Sequence, residues 1–173
     1  MAPTLKVELI STGIYLFLIF VSVIIAVMGS MFLISYFTSK EINEKEEIVK
    51  NRNVGIALVL GSFIWTIGRM CNETLKPIMN SFYSNYASGF TFKSVFLFIL
   101  GALASLLIAL IISAIVVFLS IRVLMIINKD INEWMEIRRG NTAVAIIIAI
   151  TVIVVGLFFE SVVSYSIVSL MRL

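Results

Sequence analysis

The stretch KDINEWMEIRRGNTAVAI, residues 129–146, repeats in altered form an earlier stretch, KEINEKEEIVKNRNVGIA, residues 40–57. KEINE matches KDINE, the pair EI recurs in both, and NVGIA matches NTAVA after a gap of one residue. In each case the charged segment stands between a long apolar run and a shorter one. Self-similarity of this kind indicates a duplicated unit. The pattern therefore predicts two tandem helical hairpins, each with a long helix, a charged connector and a second helix.

The composition places these helices in a membrane. The chain has 173 residues, of which 61% are hydrophobic and 13% charged, whereas soluble domains are about 45–50% apolar and about 25% charged. A soluble helical bundle would need more polar sequence to give four such helices a wet face. We therefore expect an all-α membrane protein with four transmembrane helices.

The four apolar runs differ in length. Residues 13–37 and 94–121 are free of charges and long enough to span, whereas residues 54–68 and 143–159 are shorter and are closed by Arg69 and Glu160. A spanning helix needs roughly 20 residues. The two shorter runs span only if their helices continue past those charged residues. An aromatic turn on the outer side is predicted for residues 74–92, and all four predicted spans lack proline.

The duplication also predicts a symmetry. A unit with an even number of spans keeps its orientation when it is duplicated, so the halves should be parallel repeats related by an axis along the membrane normal. We expect a single membrane domain over 1–173, with repeat one at about 7–88, repeat two at about 92–173, and Asn53 superposed on Asn141.

The distribution of lysine and arginine predicts the orientation. Cations are concentrated in the connectors 40–52 and 128–140, namely Lys40, Lys45, Lys50, Arg52, Lys129, Arg138 and Arg139. Loops rich in these residues stay in the cytoplasm. We therefore expect both connectors in the cytoplasm and both termini outside.

The connectors contain candidate caps and an interfacial segment. Asn53 and Asn141 each precede an apolar helix and are predicted to accept hydrogen bonds from its first free amides. In the second connector Trp134 shares one helical face with Ile131 and Met135, which predicts an amphipathic segment in the headgroup region with Trp134 at the interface. A solvated extension of the preceding helix is the alternative. The repeat signature is carried by Asn53, Asn132, Glu133, Trp134 and Asn141.

The run NEWMEIRRGNTAVAI, residues 132–146, resembles the YjfL-like family of small four-helix membrane proteins. The resemblance implies four helices, an internal duplication and a location in the prokaryotic cytoplasmic membrane. It implies no activity, cofactor or catalytic residue.

Ionisable residues inside the predicted spans are candidates for a functional cluster. At about 1.5 Å per residue, Glu73 lies about 30 Å from Asn53 and Glu160 lies about 28 Å from Asn141. Arg69 is one turn deeper than Glu73, and Glu8 reaches a similar level on the first helix. Such charges usually face the bundle interior or water. We expect this of Arg69 and Glu160, whereas Glu73 and Glu8 are expected to snorkel toward headgroups.

Catalytic and metal-binding signatures are sparse. The chain has no histidine and one cysteine, which excludes an internal disulfide and a His- or Cys-rich metal cluster. We expect no cofactor, no nucleic-acid partner and no enzymatic activity. Two functions remain: a structural or accessory subunit that assembles with itself or other membrane proteins, and a small ion or solute permeation unit that uses the Arg/Glu cluster. The lack of proline in the spans favours the first, because transporters often interrupt their helices near the membrane centre.

Overall fold

A computed structural model describes residues 3–38, 44–86, 91–128 and 132–171. These residues form four long helices and two short ones: α1 Pro3–Phe37, α2 Glu44–Val49, α3 Val54–Tyr86, α4 Phe92–Ile127, α5 Glu133–Arg138 and α6 Thr142–Met171. Residues 40–43 of the first connector and residues 129–131 of the second lie outside the described part of the chain, as does residue 39.

The four long helices confirm the predicted all-α class. Each is long and apolar enough to cross a membrane. The two shorter apolar runs continue past their charged residues, Arg69 in α3 and Glu160 in α6. Both helices therefore exceed the roughly 20 residues that a span requires.

The predicted outer turn over residues 74–92 is wrong for most of its length. Helix α3 continues through Pro77 and ends at Tyr86. Proline removes one backbone hydrogen bond from a helix interior. That loss is offset by apolar side chains at helical spacing that are buried on both sides of the proline: Leu75, Ile78, Met79 and Phe82. The candidate membrane span of α3 therefore does contain a proline, so a lack of proline no longer favours an accessory subunit over a permeation unit.

Helix α3 is the centre of the packing. It contacts α1, α4 and α6, and α6 packs on both α3 and α4. The described parts of α1 and α6 have no comparable contact. A strict two-fold axis between the halves would exchange α1 with α4 and α3 with α6, so it would require an α1–α6 contact equal to the contact between α3 and α4. The long helices other than α3 have the larger apolar surfaces exposed, which suits contact with lipid chains.

Both connectors approach their second long helix in the same way. A six-residue helix, α2 or α5, is followed by a residue with left-handed backbone and then by an asparagine. The left-handed residues are Arg52 with φ 53° and Gly140 with φ 89°. Glycine adopts this conformation without a steric penalty, whereas other residues do not. The corresponding position in the first connector therefore holds a more strained residue.

Helices α3 and α6 approach most closely at Gly156 and Thr66. A Cβ atom added to Gly156 would lie 2.5 Å from the Thr66 Cγ2 methyl. Thr66 is buried and β-branched, so its side chain has little rotational freedom within a helix. We expect Gly156→Ala to destabilise the protein by about 1–3 kcal/mol through overpacking, measured by equilibrium unfolding in mixed micelles.

Two further variants make this prediction specific. Adding Thr66→Ala should recover most of the loss, because the nearest remaining Thr66 atom, Cβ, is 3.4 Å from the added methyl. Gly61→Ala is the matched control, since a Cβ there meets nothing within 4 Å and alanine favours the helix by up to about 1 kcal/mol. Equal losses at Gly156 and Gly61 would contradict the packing explanation.

Candidate functional site

The α3–α6 interface places an arginine of one helix opposite a glutamate of the other. Close contact is possible because small residues meet at two levels: Gly55 faces Ala145 near the helix starts, and Gly156 faces Thr66 further along. Arg69 follows Thr66 by one turn on α3, and Glu160 follows Gly156 by one turn on α6. The glycine contact therefore brings both charged side chains within reach of each other.

Arg69 and Glu160 form a two-point ion pair. Arg69 Nε donates to Glu160 Oε2 at 3.2 Å, and Arg69 Nη2 donates to Glu160 Oε1. The planar guanidinium matches the carboxylate in this arrangement, which adds geometric specificity to the charge attraction. The two hydrogen bonds thus link α3 to α6 and fix the guanidinium relative to the carboxylate.

Two more charges extend the pair along α3. Glu73 Oε1 lies 3.9 Å from Arg69 Nη2 and accepts a hydrogen bond from Lys76 Nζ at 2.5 Å. The Arg69 Cζ atom lies 6.0 Å from the centre of the Trp65 ring, at the limit of a cation–π contact. We call Arg69, Glu73, Lys76 and Glu160 the charged cluster; its two cations and two carboxylates balance.

The exposure of the cluster is uneven. The side chain of Arg69 is 42% exposed, whereas those of Glu160 and Glu73 are 18% and 13% exposed. Arg69 lies about 22 Å along α3 from Val54 at the usual helical rise. The carboxylates are thus largely enclosed by protein, and the guanidinium is partly uncovered within the length of a candidate membrane span.

Glu8 does not join the charged cluster. Its side chain is exposed on α1, and the ion pairs among the described residues do not include it. Its backbone carbonyl accepts hydrogen bonds from the hydroxyls of Ser11 and Thr12. Ser11 in turn contacts the Tyr83 hydroxyl at 3.1 Å, which links α1 to the C-terminal part of α3.

At the connector end, Asn53 joins the two halves of the chain. Its Oδ1 accepts from the Ile56 amide at 3.2 Å and caps α3. Its Nδ2 donates to the carbonyls of Ile137 at 2.9 Å and Arg138 at 3.3 Å. The side chain is buried, so one amide group caps its own helix and holds the end of the second connector.

Asn141 caps α6 but makes its other bond locally. Its Oδ1 accepts from the Val144 amide at 3.4 Å, and its Nδ2 donates to Glu136 at 3.1 Å. Hydrogen bonds from Asn141 and Arg139 hold the pKa of the Glu136 carboxyl below its ordinary value. Asn132 similarly caps α5 by accepting from the Met135 amide at 3.1 Å.

Trp134 lies inside the protein rather than at a lipid interface. It is 7% exposed and stacks on Phe37 of α1 with ring centres 6.0 Å apart. The Phe37 ring also contacts Phe63 and Phe118, so an aromatic cluster closes this end of the helices. The predicted interfacial position of Trp134 is therefore wrong, because α5 turns this ring toward the core. Met135 is exposed, and Ile131 lies outside the described residues.

Glu133 is also buried, at 5% exposed. Its Oε1 and the Trp134 Nε1 have no hydrogen-bond partner among the described residues. Within the same part of the chain, no group of three or more His, Cys, Asp or Glu side chains has metal-binding geometry.

A comparison with protein families decides the classification. The sequence model described as Domain of Unknown Function (DUF350) matches residues 8–163. The chain belongs to the DUF350 family. The matched region contains both connectors and the whole charged cluster. Searches of curated proteins and of solved structures found no match.

The sequence alone does not identify several residues of this site. Lys76 lies in the segment that was predicted to be a turn, and its place in the cluster depends on the continuation of α3 through Pro77. Thr66 and Gly156 set the helix separation, but a lone glycine in an apolar run does not indicate its neighbour. Trp65 lies one turn before Arg69, and arginine interacts favourably with an aromatic ring. This spacing was the one signal in the sequence that indicated a neighbour of Arg69.

Proposed function

We propose that this protein is a non-catalytic membrane subunit that assembles with a second copy of itself through the exposed side of α3 and α6. The observation that carries the proposal is the Arg69 guanidinium, which is 42% exposed within a candidate membrane span. A charge that faces hydrocarbon is costly. Cover by a second protein surface would remove that cost.

An apolar groove lies between α3 and α6 and reaches Trp65, one turn before Arg69. It has a volume of about 520 Å³ and is lined almost entirely by apolar atoms of Val54, Ala57, Leu58, Gly61, Ser62, Trp65, Ile146, Ala149, Ile150 and Ile153. Small residues such as Gly61 and Ala149 keep it concave, and small residues at helix surfaces favour close helix packing in membranes. We call this groove together with Arg69 and Glu160 the α3–α6 face.

A second copy fits this face because its charges are self-complementary. Copies related by a two-fold axis along the membrane normal have the same orientation, so Arg69 of one lies at the depth of Glu160 and Glu73 of the other. A two-fold interface uses the same patch on both subunits, and this patch carries both signs of charge. The exposed part of each guanidinium therefore leaves the lipid at a depth where the second copy also carries carboxylates.

The assembly is tested by filling the groove. Gly61→Trp introduces bulk where a Cβ meets nothing within 4 Å, so the protomer should fold. We expect wild-type protein, extracted from its own membrane and measured by native mass spectrometry, to be dimeric or larger and Gly61→Trp to be monomeric. Gly101→Trp on α4 is the matched control, because a Cβ at Gly101 also meets nothing within 4 Å. A monomeric wild type, or a Gly61→Trp protein that assembles normally, would refute the proposal.

We also propose that the connectors 40–52 and 128–140 are cytoplasmic and the termini external. The excess of lysine and arginine in the connectors supports this orientation. In a Cys71→Ser background, an impermeant thiol reagent on whole cells should label Lys76→Cys and spare Lys50→Cys and Arg138→Cys. The opposite labelling pattern would reverse the orientation.

The permeation alternative has less support. The charged cluster lies on one side of the packed helices, and the adjacent interior is filled by the fully buried side chains Phe63, Ile67 and Met70. A pathway through one protomer would need polar side chains at those interior positions. We therefore give the cluster a role in assembly.

A further inference from the structure

A polar cleft lies at the opposite end of α3 and α6 from the charged cluster. It has a volume of about 530 Å³, and both connectors contribute to it. Its lining comprises Glu47, Asn51, Arg52, Asn53, Val54, Gly55, Arg138, Arg139, Gly140 and Thr142. Three guanidinium groups against one carboxylate leave the cleft with two net positive charges.

The carboxylate is already engaged and largely enclosed. Glu47 is buried, and its Oε1 lies 3.5 Å from Arg138 Nε. Arg138 has four further N–H donors on its terminal nitrogens, and its side chain is 54% exposed. Arg139 pairs with Glu136 on the other side and is also exposed. The arginines thus keep donor capacity for an additional anion.

Backbone groups add to this positive potential. The first residues of α3, Val54 and Gly55, and the first residue of α6, Thr142, line the cleft. The opening amides of a helix have no acceptor within the helix, and the helix dipole is positive at this end. Two long helices therefore begin at one cleft that also holds three arginines.

Arg52 lines this cleft and has an unfavourable backbone conformation. Its φ is 53°, and the corresponding residue of the second connector is Gly140. The ion pairs among the described residues do not include Arg52, and its side chain is exposed. The chain places an arginine where a glycine would be less strained, which is consistent with a binding role for its side chain.

We propose that this cleft binds a phosphate group, carried either by a lipid headgroup or by a soluble phosphate ester. Guanidinium groups recognise phosphate oxygens with paired, charge-assisted hydrogen bonds. Helix starts contribute further amide donors to such anions. The cleft adjoins the α3–α6 face, since Val54 lines both, but the three arginines that would bind the phosphate lie outside that face. Loss of phosphate binding and loss of assembly are therefore separate outcomes.

The test compares two probes on protein purified in dodecyl maltoside, a detergent without phosphate. Inorganic phosphate is titrated calorimetrically in chloride buffer of matched ionic strength, and retention of phosphatidylglycerol is measured by native mass spectrometry against a phosphate-free galactolipid. We expect Arg52→Gly to weaken binding of the responsive probe by about tenfold or more, the effect of losing a charge-assisted hydrogen bond. A response to phosphate identifies a soluble ester, and a response to the phospholipid alone identifies a headgroup.

The controls separate a specific site from general charge. Lys50→Gln removes the same charge from the same connector. Lys50 is exposed, pairs with Glu46 and lies outside the cleft lining. This variant should therefore change the affinity for the responsive probe by less than about twofold, since exposed pairs contribute little. Arg52→Gly should fold with an unchanged or higher melting temperature, because glycine accepts the positive φ. The proposal is overturned if neither probe binds, if Arg52→Gly leaves binding intact, or if both variants weaken it equally.

Discussion

Replacement of Arg69 by leucine is expected to lower the free energy of unfolding by about 3 kcal/mol or more. The variant leaves Glu160, which is only 18% exposed, without its two-point partner. Glu73 loses a neighbouring cation as well, although Lys76 still bonds to it at 2.5 Å. An unpaired, enclosed carboxylate is costly because its charge has lost both water and a counter-ion.

The double variant Arg69→Leu/Glu160→Leu should recover much of that loss. Removing both charges leaves apolar side chains at a helix contact, which is often close to neutral. Equilibrium unfolding in mixed micelles of the two single variants and the double variant measures the coupling energy directly. Additive single effects would mean that the two residues do not interact in the folded protein.

Two further variants show what kind of interaction is lost. Arg69→Lys keeps the charge but cannot reproduce the paired guanidinium geometry, so it should lose part of the stability. Lys76→Leu removes a cation that is 62% exposed and leaves Arg69 at 3.9 Å from the Glu73 carboxylate, so it should cost less than about 1 kcal/mol. A Lys76 effect as large as that of Arg69 would contradict a special role for the two-point pair between Arg69 and Glu160.

Helical rise was enough to predict that Arg69 and Glu160 lie at similar depths. It does not predict the direction in which each side chain points from its helix. The structure brings these two together because Gly156 and Thr66 hold α3 against α6. Glu8 lies at a comparable level along its helix, yet its side chain is exposed on α1 and remains apart from the cluster. Side-chain direction depends on helix rotation, and rotation is set by packing between helices distant in sequence.

Tertiary contacts also overrode two local signals. Pro77 and the polar residues around it indicated a turn, but buried residues on both sides, such as Leu75 and Ile78, keep the segment helical. Trp134 shares a face with Met135 in a six-residue helix, which suggested an interfacial segment. Only the position of Phe37 on α1 shows that the indole stacks inward. The apolar runs, by contrast, were long enough to predict four spans without any tertiary information.

Asn53→Ala is expected to destabilise the protein by about 2–4 kcal/mol, which combines a lost helix cap with the loss of two hydrogen bonds between the connectors. The alanine leaves the Ile56 amide without its acceptor at the start of α3. It also removes the donor to the Ile137 and Arg138 carbonyls. Those two bonds connect residues 84 and 85 positions apart, so their loss should loosen the second connector as well.

Asn141 provides the matched control, since it occupies the same place in the second connector. Asn141→Ala removes a longer cap bond and a local bond to Glu136, and should cost only about 1 kcal/mol. Aspartate at position 53 separates the two roles of Asn53, because Asn53→Asp keeps the cap but places a carboxylate against two carbonyl oxygens. If unfolding in mixed micelles gives equal losses for Asn53→Ala and Asn141→Ala and no loss for Asn53→Asp, then Asn53 is only a helix cap and the bonds between the connectors contribute nothing to stability.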